Sequence, residues 1–84
     1  MVTVLYFAWV REQIGVSEER LDIPAAVITL ADLATWLAAR GGGYAEVFSN
    51  PAKLRAALDQ KMSPLTSTLG SAREIAFFPP VTGG

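Results

Sequence analysis

The residues whose types and order could do chemistry are the last eight, Phe77-Phe78-Pro79-Pro80-Val81-Thr82-Gly83-Gly84, and the reactive group among them is the terminal carboxylate of Gly84. Such a carboxylate, with a reference pKa of about 3.3–3.7, is ionised at neutral pH and a poor electrophile. It reacts once something activates it. Transfer of an adenylyl group from ATP gives an acyl-adenylate that a sulfur or amine nucleophile can attack, and attack by a sulfur donor leaves a C-terminal thiocarboxylate. No Gly-Lys-Ser/Thr phosphate loop is present, so ATP is expected to be used by a separate activating enzyme and no cofactor to be bound by this chain. Pro79 and Pro80 fix φ and remove two backbone donors, which predicts a stiff extended arm. Gly83 and Gly84 lack Cβ atoms and suit a slot too narrow for other residues. From Pro79 through Val81 and Thr82 to Gly84 the arm reaches roughly 20 Å at about 3.3–3.6 Å per residue, enough to enter another protein's active site.

The rest of the chain offers little competing chemistry. It has no Cys and no His, which excludes disulfides, Cys/His zinc sites, and thiol or imidazole catalysis. The acids Glu12, Glu18, Glu19, Asp22, Asp32, Glu46, Asp59 and Glu74 show no spacing that marks an acid/base pair, and no metal site is expected. The bases are scattered and the net charge is −1, so nucleic acid is not an expected partner. Arg11, just after the first strand, is a candidate partner contact. Met1–Val10 is apolar but has no basic leader, and Arg11-Glu12 interrupts it far short of the roughly 20 residues of a membrane span. Neither signal nor anchor is expected, and a cytoplasmic protein without a membrane partner fits.

These groups need a scaffold of one domain, since 84 residues cannot supply two cores; with 51% hydrophobic composition, packing alone can hold it. Val2–Trp9 is β-branched and aromatic, apolar on both alternating faces, and predicts a central strand covered on both sides. Val10–Ile14 predicts a helical turn stopped by Gly15, and Glu18–Ile23 an alternating strand ended by Pro24. Thr29 and Asp32 suggest a capping box, followed by Leu30, Leu33, Ala34 and Leu37 at helical spacing through Arg40. Gly41-Gly42-Gly43 reads as the stop of this principal helix rather than a phosphate loop. Tyr44–Asn50 is open to either assignment. Leu54–Leu58 is read as a strand against its helical propensity, a short strand is expected near Leu65, and Glu74–Phe78 closes the sheet. The order predicts an α+β sheet with the principal helix across one face. The aromatics are mainly core. Phe77 and Phe78 are adjacent, so they point to opposite faces, and at least one of them is a candidate docking residue.

With its ending Ala76-Phe77-Phe78-Pro79-Pro80-Val81-Thr82-Gly83-Gly84, its opening Val4-Leu5-Tyr6-Phe7-Ala8 followed by Val10-Arg11-Glu12, and Ala57-Leu58-Asp59-Gln60 between them, the chain resembles the small sulfur-carrying subunits of molybdopterin synthase. Those are ubiquitin-like β-grasp proteins. The resemblance implies an α+β β-grasp domain, a mixed sheet with one principal helix, over residues 1–78, and an extended Gly-Gly tail over residues 79–84. It also implies a course of events. An adenylating enzyme activates Gly84, a persulfide donor converts it to the thiocarboxylate, and the tail enters the large synthase subunit of a heterotetramer. There sulfur passes to cyclic pyranopterin monophosphate in molybdenum cofactor biosynthesis, the active site being on the large subunit. Alternatives are a carrier for thiazole, cysteine or tRNA thiolation, a ubiquitin-like modifier of lysines, and a non-covalent adaptor. Two departures from the family pattern stand out. Ser71-Ala72-Arg73 replaces an acidic Asp-Gly-Asp turn, and Asp59 replaces an Asn, which predicts loss of any hydrogen bond that needs an amide donor.

Overall fold

Two apolar strands lie side by side at the centre of the computed structural model, which describes residues 1–80. β1 (Val2–Tyr6) and β5 (Glu74–Phe78) are parallel, with Val4 opposite Ile75 and Tyr6 opposite Phe77. β2 (Glu18–Leu21) pairs antiparallel with β1, β3 (Arg55–Leu58) with β5, and β4 (Lys61–Ser63) with β3. The resulting mixed sheet has the order β2-β1-β5-β3-β4. Three helices, α1 (Ala8–Ile14), α2 (Leu30–Ala38) and α3 (Gly42–Phe48), contribute Val10, Leu33, Leu37, Val47 and Phe48 to one core with Val4, Tyr6, Ile75 and Phe77. This is the α+β architecture expected from the order of elements.

The principal helix starts where its sequence says it should. Thr29 Oγ1 accepts from the Asp32 amide at 3.1 Å, and Asp32 Oδ2 accepts from the Thr29 amide at 3.1 Å, closing the capping box. The next orphan donors are met from a distant loop, the Leu30 amide by the Ser67 carbonyl and the Ala31 amide by the Leu65 carbonyl. That use of its backbone is why the strand expected near Leu65 does not form there. The strand lies earlier, at Lys61–Ser63, and turns back on β3 through Asp59 and Gln60, both at positive φ (47° and 71°).

The triple glycine both ends one helix and begins another. Gly41 caps α3 with φ 77°, and α3 runs through Gly42 and Gly43 into Tyr44–Phe48, the stretch the sequence left open. Tertiary packing outweighs glycine's poor propensity here. A Cβ on Gly43 would fall 1.8 Å from the Gln13 carbonyl oxygen, so α3 lies against α1 at a distance only glycine permits. Tertiary context likewise makes β3 a strand, because Ala56 is buried in the core and Ala57 pairs with Ala76.

One expectation about β1 is half met. Val4 and Tyr6 are buried under the helices, but on the other face Leu5 is only half-buried, and Phe7, which alternation places beside it, is 47% exposed. Among the described residues, that second face has no helix over it.

Candidate functional site

The expected arm follows β5 in the chain, and the alternation of that strand decides what stands beside its first residues. Ile75 and Phe77 point into the core, whereas Ala76 and Phe78 point to the open face. Phe77 is fully buried, with its ring edge-on to Phe48 at 4.9 Å between centroids. It is therefore a packing residue, and its expected role as a docking contact is corrected: a side chain beneath the sheet cannot reach a partner above it. Phe78 is half-buried on the open face, and β3 places Arg55 opposite it.

A residue that sequence reasoning missed stands next to it. The Phe7 amide donates to the Phe77 carbonyl at 3.1 Å, extending the β1–β5 pairing one step and bringing Phe7 level with Phe78. Alternation was the available signal, since Phe7 and Leu5 lie opposite Tyr6 and Val4. Across the sheet, Leu5, Ala76, Ala57 and Met62 form a row by register, Met62 being 64% exposed. Glu18 ends this row on β2, opposite Leu5, while Arg20 and Glu74 flank it toward the far end and Arg55 toward the near end. The apolar part of the open face is thus concentrated where the arm begins. Arg11 is exposed on α1, one turn beyond Phe7, whose carbonyl accepts from the Arg11 amide at 3.4 Å. Phe7, Arg11 and Phe78 share one end of the domain.

The start of β5 is pinned from its other end. Asp59 Oδ1 accepts from the amides of Arg73 and Glu74, each at 3.0 Å, and the Asp59 amide donates to the Glu74 carbonyl at 2.9 Å. These side-chain bonds need an acceptor alone, so a carboxylate serves where an amide donor was expected to be missed. Ser71 and Ala72 follow a turn at Gly70 (φ 54°), where the Ala72 amide donates to the Leu69 carbonyl at 3.0 Å. No acidic side chain is needed for that turn.

Pro79 and Pro80 are half-buried and follow β5 directly in the chain. The assignments to Val81, Thr82, Gly83 and Gly84 fall outside the described residues. Among the described residues there is no cluster of His, Cys, Asp or Glu suited to a metal and no helix long and apolar enough to cross a membrane.

Comparison with known proteins adds sequence and fold relatives. The ThiS family profile matches residues 4–84. A molybdopterin synthase sulfur carrier subunit from Haemophilus influenzae is 42% identical, and one from Escherichia coli is 37% identical, both over 84 residues that span the whole of each chain. The crystal structure of SAMP1 from Haloferax volcanii matches with a TM-score of 0.71 at 21% identity, covering 99% of this chain and 98% of that one, which is a likeness of fold.

Proposed function

This chain belongs to the ThiS family of β-grasp proteins, and we propose the following course for its work as the sulfur-carrier subunit of molybdopterin synthase. The Gly84 carboxylate attacks the α-phosphorus of ATP on an adenylating enzyme, releasing pyrophosphate. A persulfide sulfur displaces AMP from the acyl-adenylate, and a thiol splits the resulting acyl disulfide to leave the thiocarboxylate. The arm then carries that sulfur into the large synthase subunit, where it passes to cyclic pyranopterin monophosphate. The chain is a carrier, and catalysis belongs to its partners.

The observation that carries this reading is the full-length match to two sulfur carrier subunits. The open face supports the docking part of it. β1 carries apolar residues on both sides, yet the described residues cover only one, and the apolar surface left open includes Phe78 just before Pro79. Phe78, Phe7 and Leu5 are the proposed docking residues, with Arg11 at the margin. Pro79 through Gly83 deliver Gly84 to the large subunit's active site, and the two glycines pass the narrowest part because they carry no Cβ.

Deleting Gly84, or adding a residue after it, tests the assignment. Removal withdraws the reactive carbon by up to about 3.5 Å, and misplacement near 1 Å can cost roughly a hundredfold in rate. Both variants should keep the parental thermal midpoint and lose sulfur transfer. Full transfer by the Gly84 deletion would remove the carrier mechanism.

A further inference from the structure

Away from the arm, one carboxylate gathers donors from three other parts of the fold. Glu19 on β2 accepts from the Tyr6 hydroxyl of β1 at 2.8 Å and from the Tyr44 hydroxyl of α3 at 2.7 Å. Arg40, just past α2, donates from Nη1 to Glu19 Oε1 at 3.1 Å. The guanidinium lies over two rings, 5.4 Å from the Trp36 centroid and 5.0 Å from that of Tyr44. Burial disfavours the Glu19 charge, but hydrogen bonds from Tyr44, Tyr6 and Arg40 outweigh it and hold the carboxyl below its ordinary value. Burial, with Glu19 beside it, pushes the Tyr6 hydroxyl up, so Tyr6 stays a donor at neutral pH.

The spacing of these donors is informative. Arg40 and Tyr44 flank Gly41-Gly42-Gly43, the start of α3, where two residues have positive φ. A single carboxylate therefore bonds residues on both sides of the glycine joint between α2 and α3. From that joint, edge-on ring contacts lead to the arm: Tyr44 to Tyr6 at 6.4 Å, Tyr6 to Phe48 at 6.4 Å, and Phe48 to Phe77 at 4.9 Å. Phe77 is the register partner of Tyr6 and stands two residues before Pro79.

We infer that Glu19 is a positioning residue for the carrier's arm: by latching Arg40 and Tyr44 across the glycine joint it fixes α3, and through Phe48 and Phe77 it aims the strand from which the arm leaves. The inference rests on the carrier function proposed above. It does not make Glu19 a docking residue. Its side chain lies on the helix side of the sheet, away from the open face, so its loss should affect the rate of transfer inside the complex rather than the affinity of the complex.

The test uses full-length Glu19→Ala and Tyr44→Phe chains, loaded as thiocarboxylates and mixed with purified large subunit. Three quantities are measured: backbone amide shifts of Phe77 and Phe78 in the free chain, the dissociation constant, and the single-turnover rate at saturation. The expected result is displaced shifts, an unchanged dissociation constant, and transfer slowed by about 2- to 30-fold, the range of coupling through packed networks. Tyr44→Phe, which deletes one hydrogen bond and keeps the ring, should show a smaller effect in the same direction. It decides alone if Glu19→Ala does not fold. Parental transfer at saturation, or a loss that saturation cures, overturns the inference. If the parent chain transfers sulfur and the variants match it, only the positioning role falls; if the parent transfers none, the carrier function falls with it.

Discussion

Adjacent Phe77 and Phe78 should separate stability from docking when each is cut to alanine. Phe77 has no exposure and packs edge-on against Phe48 at 4.9 Å, so Phe77→Ala removes a buried ring from a closely packed core. Such truncations cost about 3–5 kcal/mol, and aromatic pairing adds roughly 0.5–1.5 kcal/mol beyond area. For 84 residues at about 0.05–0.15 kcal/mol each, total stability is roughly 4–13 kcal/mol. The variant should therefore lose a large share of it, lowering the thermal midpoint by at least about 12 °C at roughly 4–8 °C per kcal/mol for a domain this small. Phe78 is half-buried on the face without a helix, and its loss should cost much less stability. If Phe78 anchors the large subunit, truncation should weaken binding by at least about 30-fold, the level of an interface hot spot near 2 kcal/mol. Thermal melts give the first quantity, and titration calorimetry with the large subunit gives the second. A Phe77→Ala chain as stable as the parent would refute the core assignment, and parental affinity in Phe78→Ala would refute the docking one.

Gly43→Ala should destabilise the domain by about 1–3 kcal/mol, the usual cost of overpacking, because the new methyl meets the Gln13 carbonyl; denaturant titration reads this, and a gain in stability, as helix propensity alone would give, would contradict the close α1–α3 approach. Acid should weaken the latch at Glu19. Its folded pKa is depressed below the ordinary 4.5, so its stabilisation is present above that value and is lost as pH falls through the lower folded value. The difference in thermal midpoint between the parent and Glu19→Gln should hold at neutral pH and narrow below pH 4.5; a constant difference across that window would contradict it.

What could be read from the sequence depended on whether the signal was local. Thr29 and Asp32 announce the start of α2 because the capping box lies within one turn. The apolar β1 and β5 are equally legible, since pleating alone imposes their period. By contrast, α3 was obscured by Gly41-Gly42-Gly43, where a close approach to Gln13, far off in sequence, overrides the local preference against helix. β4 was hidden because its pairing depends on the Asp59-Gln60 turn, which lacks the Asn-Gly signature. At the candidate site, adjacency put Phe77 and Phe78 on opposite faces but could not say which face the helices cover. Phe7 was legible only through the same parity. The Glu19 latch had no local signal, since its donors come from residues 6, 40 and 44.

The central claim is that sulfur travels on Gly84. Its most direct test is intact-mass and fragment analysis of the chain after incubation with ATP, its adenylating enzyme and a persulfide donor in the presence of thiol. The predicted result is a mass gain equal to replacement of one oxygen by sulfur, confined to the C-terminal fragment that contains Gly84, and its disappearance when the large subunit and cyclic pyranopterin monophosphate are added. An unmodified C-terminal fragment, or lysine-linked conjugates in place of the thiocarboxylate, would contradict it.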